Sequence, residues 1–224
     1  STDANTLTAF GADGFTLGSG VGVNENNDAH VSWNWKANGQ GSSNTDGSIN
    51  TTYTSVNTTA GFSISKYVGT GSAATVGHGL SAVPQMFMIK DLSAATDWTV
   101  YHEKIGNLKR LVLNTNAGEE DDASFFNDTS PTSSVFSIGS SSAVNYSGRN
   151  YICYAFTDIA GYSRFGSYAG TGNSNGTFVY TGFKPAFVLI KRNGSGEHWT
   201  IRDNKRDGIN VTNKTIRADA NTAE

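Results

Sequence analysis

The feature that most constrains the fold of this chain is an internal duplication. The sequence "KYVGTG" at 66–71 recurs as "SYAGTG" at 167–172, and "PQMFMIKDLSAATDWTV" (84–100) lies over "PAFVLIKRNGSGEHWTI" (185–201) at the same spacing of 101 residues. In the longer pair the proline, the apolar run, the lysine and the Trp-Thr dipeptide all coincide. A repeat of this length indicates one structural unit that is present twice.

A second block repeats at a different spacing. Residues 15–36 lie without a gap over 136–157, which is 121 residues further on. The difference is absorbed by 37–61, a stretch rich in Gly, Ser, Asn and Thr that the second copy largely lacks and that we interpret as a linker. A weaker match, which needs a short insertion, places 109–117 over 214–222.

The order of these blocks leaves the limits of the folded unit open. One division gives a first β repeat unit at 1–125, with the linker inside it, and a second at 126–224. The other takes 62–161 as one complete domain, flanked by pieces that pair with each other or with neighbouring copies. The sequence favours neither division.

Apolar periodicity indicates strands in both blocks. In "HVSWNWK" (30–36) Val31, Trp33 and Trp35 alternate with polar residues, which predicts a strand with one buried face. The continuous runs "MFMIK" (86–90) and "FVLIK" (187–191) predict central strands that are buried on both sides.

Each continuous run is followed by a polar loop and then by "WTVY" or "WTIR", which predicts a β-hairpin in each copy. The best helical candidate, 102–111, is weakened by Gly106 in its middle. We therefore predict an all-β fold, an antiparallel β-sandwich of jelly-roll type, built from a duplicated β-module.

Composition agrees with this fold class and limits the partners. Aromatic residues make up 11% of the chain and charged residues only 16%, which is typical of a β-protein with many turns. A net charge of −3 predicts no nucleic acid partner. No apolar run approaches the length of a membrane span, so we expect no membrane insertion. Cys153 is the only cysteine, which excludes a disulfide framework within one chain.

The duplication also tests for chemistry, because a reaction performed by both copies needs its residues in both. None of the four histidines is repeated; His30, for example, lies over Tyr151. Cys153 sits in the middle of a predicted strand and is interpreted as a buried thiol. The acidic run at 119–122 lacks the alternating oxygen ligands of a calcium loop and is interpreted as a solvated loop. We predict no catalytic residue, no cofactor and no metal site, and a protein that is not an enzyme.

Four tryptophans are the candidate binding residues. Exposed aromatic rings with Asn and Asp nearby are the groups by which this chain would contact a glycan. The candidates are Trp33, Trp35, Trp98 and Trp199. Packing in the core is the competing interpretation for each of them.

Several stretches together resemble a known repeat. They are "NTLTAFGADGFTLGSGVGVN", "HVSWNWKA", "ATVGHGL", "NDTSPTSSVFSIG" and "GYSRFGSYAGTG" with the following "FVYTGFKPAFVLIKR". In combination they are similar to a repeat of large virion-associated proteins of marine bacteriophages, in which it often follows a laminin G-like domain. The chain departs from the usual pattern of that repeat at His30, where tyrosine is typical, and at Asn34, where cysteine is typical.

The resemblance implies a position on the virion surface, outside the cell, and carries over no site residue. We expect a non-enzymatic structural or adhesive module of a tail fibre, a tail tip or a head decoration protein that presents a surface to the host. The partners implied are other virion proteins, further copies of the chain (a trimer by analogy with phage fibres) and a host glycan or receptor. The alternatives are a carbohydrate-binding module that recognises host glycans and a subunit of a cellular surface filament.

Overall fold

The computed structural model describes residues 3–207 and 213–221. With 30% of the residues in strands and 6% in helices, the chain has the predicted all-β, sandwich-like fold. The described residues form three four-residue helices, which are α1 (Val21–Asn24), α2 (Ala123–Phe126) and α3 (Ser142–Asn145). They also form the strands β1 (Leu7–Phe10), β2 (Phe15–Leu17), β3 (Tyr53–Asn57), β4 (Phe62–Val68), β5 (Ala74–Gly77), β6 (Met86–Asp91), β7 (Thr99–His102), β8 (Lys109–Val112), β9 (Glu120–Asp121), β10 (Val135–Ile138), β11 (Asn150–Phe156), β12 (Phe187–Ile190), β13 (Thr200–Asp203) and β14 (Ile216–Arg217).

Two compact units divide the chain, Ser1–Trp35 and Lys36–Glu224. The centre of the larger unit is a seven-stranded sheet with the order β3-β4-β11-β6-β7-β8-β9. β11 runs antiparallel to both of its neighbours, so that Tyr151 lies opposite Tyr67 on β4 and opposite Asp91 on β6. This sheet joins strands from both sides of position 125/126, which is therefore not a boundary between sheets.

One face of the large sheet carries the main core. Along β11 the buried residues Tyr151, Cys153 and Ala155 alternate with half-buried ones, as expected for a pleated strand. The β5–β10 sheet and the helices α2 and α3 cover this face and contribute buried apolar side chains. The cluster includes Tyr67, Val76, Phe87, Ile89, Tyr101, Phe125, Phe126, Phe136, Ile138 and Val144.

The other face carries a second core, in which the β12–β13–β14 sheet takes part. Met86, Val100 and Leu111 on the large sheet form one buried cluster with Trp199, and Leu189 on β12 packs against it. The second copy of the apolar run and of the Trp-Thr dipeptide therefore packs on the first, as two layers of a sandwich.

The hairpins predicted from the repeat are confirmed, and their registers are identical. Phe87 pairs with Tyr101 between β6 and β7, and Val188 pairs with Arg202, 101 residues further on in each strand, between β12 and β13. The weaker match also has structural support, because β8 and β14 occupy equivalent places beside β7 and β13. Residue 222, the last of that match, lies outside the described residues.

The two continuous apolar runs differ in burial. β6 is a central strand with both faces largely buried, as predicted. β12 was expected to be the same, but it is at the edge of its sheet and its residues are half-buried or exposed. The segment at 102–111 contains the end of β7, a turn and the start of β8 rather than a helix, in keeping with Gly106 at φ +83°.

The interpretation of 37–61 as a linker is wrong for most of its length. β3 pairs with β4, Ser42 bridges Thr54, and Ile49 bridges Val76 and is buried. Backbone hydrogen bonds hold this stretch against the rest of the large unit, including Thr52 N–H to Lys66 O at 2.7 Å and Ile49 N–H to Thr75 O at 3.0 Å. It is part of the folded module.

The unit Ser1–Trp35 contains a short hairpin, β1–β2, followed by α1. Residues 30–36, all of them described, adopt no strand, contrary to the prediction from the alternation of Val31, Trp33 and Trp35. A strand needs a hydrogen-bonding neighbour, and the alternating pattern does not state where that neighbour is.

Candidate functional surface

Trp33 and Trp35, two of the candidate glycan contacts, lie after α1 in the segment that forms no strand. Their side chains are 36% and 41% exposed. Val31, the third member of the alternating set, is exposed to a similar degree. Part of each indole is thus accessible to a ligand.

Trp98 is half-buried and immediately precedes β7. Its ring stacks on Tyr154, with the centroids 6.1 Å apart, and its backbone N–H donates to Asn114 Oδ1 at 2.9 Å. The ring therefore packs on β11, in agreement with the packing interpretation, and leaves part of its surface accessible.

Trp199 is buried, with 4% of its surface exposed. Its indole Nε1–H donates to Val112 O at 2.7 Å, and its backbone N–H donates to Asp219 Oδ1 at 3.0 Å. The ring fills the second core and offers no face to a glycan, so we do not retain Trp199 as a glycan contact. Buried tryptophans usually satisfy their N–H in this way.

The candidate reactive groups are mostly enclosed. Cys153 is buried in the main core, and burial raises the pKa of its thiol far above the usual value. His78 is also fully buried, and desolvation lowers the pKa of its imidazole. Its Nδ1 accepts a hydrogen bond from Leu80 N–H, and its Nε2 lies 3.2 Å from Thr132 O, so a neutral ring satisfies both partners. Among the described residues no group of His, Cys, Asp and Glu is arranged to hold a metal ion.

The acidic run at 119–122 was interpreted as a solvated loop. Residues 120–122 are exposed, as expected, but Glu120–Asp121 form β9 and most of the carboxylates have partners. Glu119 accepts from Lys109 and from Asn193, and the lysine hydrogen bond lowers the pKa of the Glu119 carboxyl. Glu120 pairs with Arg110 at 2.7 Å across β8 and β9. Asp122 caps α2 by accepting from Ser124 N–H at 2.8 Å. These contacts stabilise the edge of the sheet.

Many of the exposed large apolar side chains among the described residues lie in two segments, which we name by their repeat relations. The N-terminal half-module is residues 5–35, of which 15–35 match 136–156 near the end of the central module (36–161). The C-terminal half-module is residues 163–207 and 213–217, of which 167–172, 185–201 and 214–217 match 66–71, 84–100 and 109–112 of the central module. Large apolar side chains that are exposed in these two segments are Leu7, Phe10, Phe15, Leu17, Val21, Val31, Trp33, Trp35, Tyr168, Phe178, Val179, Tyr180 and Val188.

Several of these exposed residues lie over core residues of the central module. Tyr168 is 49% exposed, whereas Tyr67, over which it lies, is 0% exposed. Phe15 is 39% exposed and its counterpart Phe136 is 0% exposed. The positions of the tryptophans alone do not predict these exposed residues. The repeat alignment does contain the signal, because each half-module has only some of the strands that are neighbours in the central module.

Across the described residues, no helix has the length and apolar character needed to span a membrane.

The family model described as "Domain of unknown function (DUF7483)" matches residues 1–224. No curated protein and no solved structure matches the chain.

Proposed function

The chain belongs to the DUF7483 family, and we propose that it is a non-enzymatic structural module on the outside of a bacteriophage particle, as part of a tail fibre, a tail tip or a head decoration protein. The resemblance of its sequence to a repeat of virion-associated proteins supports the location. The observation that carries the structural role is the second core.

The second core joins two copies of the same element. Trp199 and Leu189, from the β12–β14 sheet, pack against Met86, Val100 and Leu111 of the central module. Every one of these residues lies within the duplicated blocks, and burial of apolar surface at such a contact is the main source of stability. A chain whose repeated residues form the contact between successive modules is suited to building a rigid, extended structure.

Adhesion would add to this role rather than replace it. Repeated modules present several copies of one surface, so weak contacts with a host cell gain from multivalency. A host surface glycan or receptor and other virion proteins are the partners that we propose.

The proposal is tested by locating the chain in native particles. We expect electron microscopy with gold-labelled antibody to place the chain on the particle surface, and the label to disappear when the antibody is first absorbed with purified chain. Label on cellular filaments, with none on particles, would instead support a subunit of a cellular surface filament. Depolymerisation of host polysaccharide by the purified chain would contradict the non-enzymatic role.

A carbohydrate-binding module is the second candidate, because Trp33 and Trp35 are accessible. A glycan array probed with the purified chain tests it. We expect any glycan signal to be lost in Trp33→Ala and Trp35→Ala but kept in Phe10→Ala, a control that removes another exposed aromatic ring. Signal kept in all three variants would remove these tryptophans from the binding surface.

A further inference from the structure

Two neighbouring strands of the central module, β4 and β11, have no strand counterpart in the half-modules. In the central module β11 is inserted between β4 and β6. Residues 29–35 lie over β11, residues 163–169 lie over β4, and β12 lies over β6. Within the described residues, neither 29–35 nor 163–169 forms a strand, and β12 pairs with β13 alone.

The N-terminal half-module nevertheless has the local structure of its counterpart. α1 lies over α3 residue by residue, and Asn24 Nδ2 donates to Gly18 O at 2.9 Å, as Asn145 Nδ2 donates to Gly139 O at 2.8 Å. A Cβ added at Gly18 or Gly139 would lie within 2.4 Å of a backbone oxygen, so both glycines permit the same close approach of two segments. The N-terminal half-module therefore already has the local conformation that its counterpart has in the central module.

Asn24, which is exposed, indicates which segment would complete the N-terminal half-module. In the central module, the side chain of Asn145 has further hydrogen bonds, all to the segment that carries "KYVGTG". Its Oδ1 accepts from Thr70 N–H at 2.7 Å, and its Nδ2 also donates to Ser72 O at 2.7 Å. Nearby, Tyr67 Oη donates to Val144 O at 2.7 Å. The second copy of this segment, 167–173, lies in the C-terminal half-module.

The C-terminal half-module retains a glycine that its own surroundings do not require. A Cβ at Gly69 would lie 2.4 Å from Tyr146 O, because α3 and the chain after it pack closely there. Gly170 lies over Gly69, but a Cβ at Gly170 would meet nothing within 4 Å. The space becomes necessary only when a segment equivalent to 145–146 is present, and that segment is 24–25.

Charge is also complementary between the two half-modules. In the central module the buried Asp91 on β6 pairs with Arg149, just before β11, at 3.1 Å. Arg192 lies over Asp91 and Asp28 lies over Arg149, so the pair is present with its two charges exchanged. Both of these residues are exposed in this chain.

We propose that the N-terminal half-module of one chain completes the C-terminal half-module of a second copy. Residues 29–35 enter as a strand between 163–169 and β12 of that copy, with α1 seated on 167–173. The contact is a strand addition that uses different surfaces on the two copies, so it joins chains head to tail. This inference does not depend on the virion location, and it is tested with the purified chain alone.

A matched pair of glycine variants tests the contact. Gly166 and Gly170 both have open space around them in this chain, but Gly166 lies over Ser65, where a side chain is accommodated, and Gly170 lies over Gly69. We expect sedimentation equilibrium to show concentration-dependent association of the wild-type chain and of Gly166→Ala. Gly170→Ala should weaken that association about tenfold or more, because its Cβ would overlap the inserted segment, and it should leave thermal unfolding of the dilute chain unchanged.

Cross-linking tests the register. Ile152 and Lys66 are direct partners across β11 and β4, so Val31→Cys and Ser167→Cys should form a disulfide when the two single variants are mixed and oxidised. Val31→Cys mixed with Asn173→Cys is the out-of-register control and should cross-link more slowly.

Three results would overturn the proposal. The first is a wild-type chain that stays monomeric at all concentrations, together with no cross-link between the mixed single variants. The second is equal association of the two glycine variants. The third comes from a double variant, V31C/S167C, in which the disulfide forms only within monomers. The last would mean that each chain completes itself.

Discussion

At the scale of single residues, glycines with no room for a side chain determine where segments can meet. A Cβ at Gly139 would lie 2.3 Å from Ser124 O and 2.9 Å from Ala123 O, both backbone atoms of the α2 turn. Neither oxygen can move aside without shifting the helix. Gly139 thus holds the segment before α3 against α2, inside the main core.

We expect Gly139→Ala to lower the free energy of unfolding by about 1–3 kcal/mol, the usual cost of overpacking. The matched control is Gly176→Ala, where the new Cβ meets nothing within 4 Å. Chemical denaturation of both variants measures the difference. Equal stabilities would show that α2 moves freely.

Buried histidine gives the chain a pH dependence. Burial lowers the pKa of His78, so as the pH falls the unfolded chain takes up a proton before the folded one does. The stability that the neutral ring contributes above about pH 6.5, the pKa of an unperturbed histidine, is lost below it. Protonation would also place a hydrogen on Nδ1, which accepts from Leu80 N–H.

We expect the unfolding free energy of the wild-type chain to fall between pH 7 and pH 5, with His78 contributing at most about 1.4 kcal/mol per pH unit. His78→Gln should make the fall shallower. His30→Gln, in which an exposed histidine is replaced, should not. His102, whose pKa burial also lowers, accounts for part of the slope that remains. An identical slope in H78Q would contradict the assignment.

At the scale of elements, the sequence predicts the hairpins well because their signals are local. A proline, an apolar run, a polar loop and Trp-Thr specify β6–β7 and β12–β13 without reference to the rest of the chain. The alternation in 30–36 was as clear, yet no strand forms there, because pairing depends on neighbours far away in sequence. The sequence pattern also suggested that 37–61 is a linker, because polar composition does not show whether side chains are buried and hydrogen-bonded to one another.

Those polar residues form a buried hydroxyl cluster. Thr54 Oγ1 lies 2.9 Å from Thr51 Oγ1 and 3.1 Å from Ser65 Oγ, and Ser65 Oγ donates to Gly77 O. All three side chains are buried. Composition alone cannot separate such a cluster from a solvated loop.

We expect Thr54→Val, which keeps the shape but removes the hydroxyl, to destabilise the chain by about 1–2 kcal/mol. The control is Thr52→Val on an exposed neighbour of the same segment. Urea denaturation distinguishes the two variants. A neutral T54V would mean that 37–61 contributes little to the stability of the module.

At the scale of the whole molecule, the second core makes the β12–β14 sheet dependent on the central module. The candidate binding surface was harder to predict than the fold, because the exposure of a tryptophan depends on the contacts between modules. Trp199 and Trp98 occupy equivalent places in the repeat, but only Trp199 is enclosed by a neighbouring module. A sequence repeat gives the elements, whereas the contacts between repeats depend on which copies are adjacent.

We expect Trp199→Ala to lower the free energy of local unfolding of the β12–β14 sheet by about 3–5 kcal/mol, the range for loss of a buried aromatic ring. Hydrogen exchange should then show faster exchange in β12 and β13, with β4 and β11 still protected. Phe178→Ala, which removes an exposed ring from the same half-module, should leave both regions unchanged. Uniform loss of protection throughout residues 36–207 would instead show that the second core stabilises the whole unit.

The exchanged charges at Asp28 and Arg192 also affect which strand can enter which module. If 29–35 of another chain displaced β11, Asp28 would face the buried carboxylate of Asp91, which would lose its cation. If β11 entered the C-terminal half-module instead, Arg149 would face Arg192. Each wrong pairing encloses like charges, which is strongly unfavourable, whereas each right one encloses opposite charges. In the association proposed above, opposite charges at these two positions would favour the correct pairing of modules and disfavour the two incorrect ones.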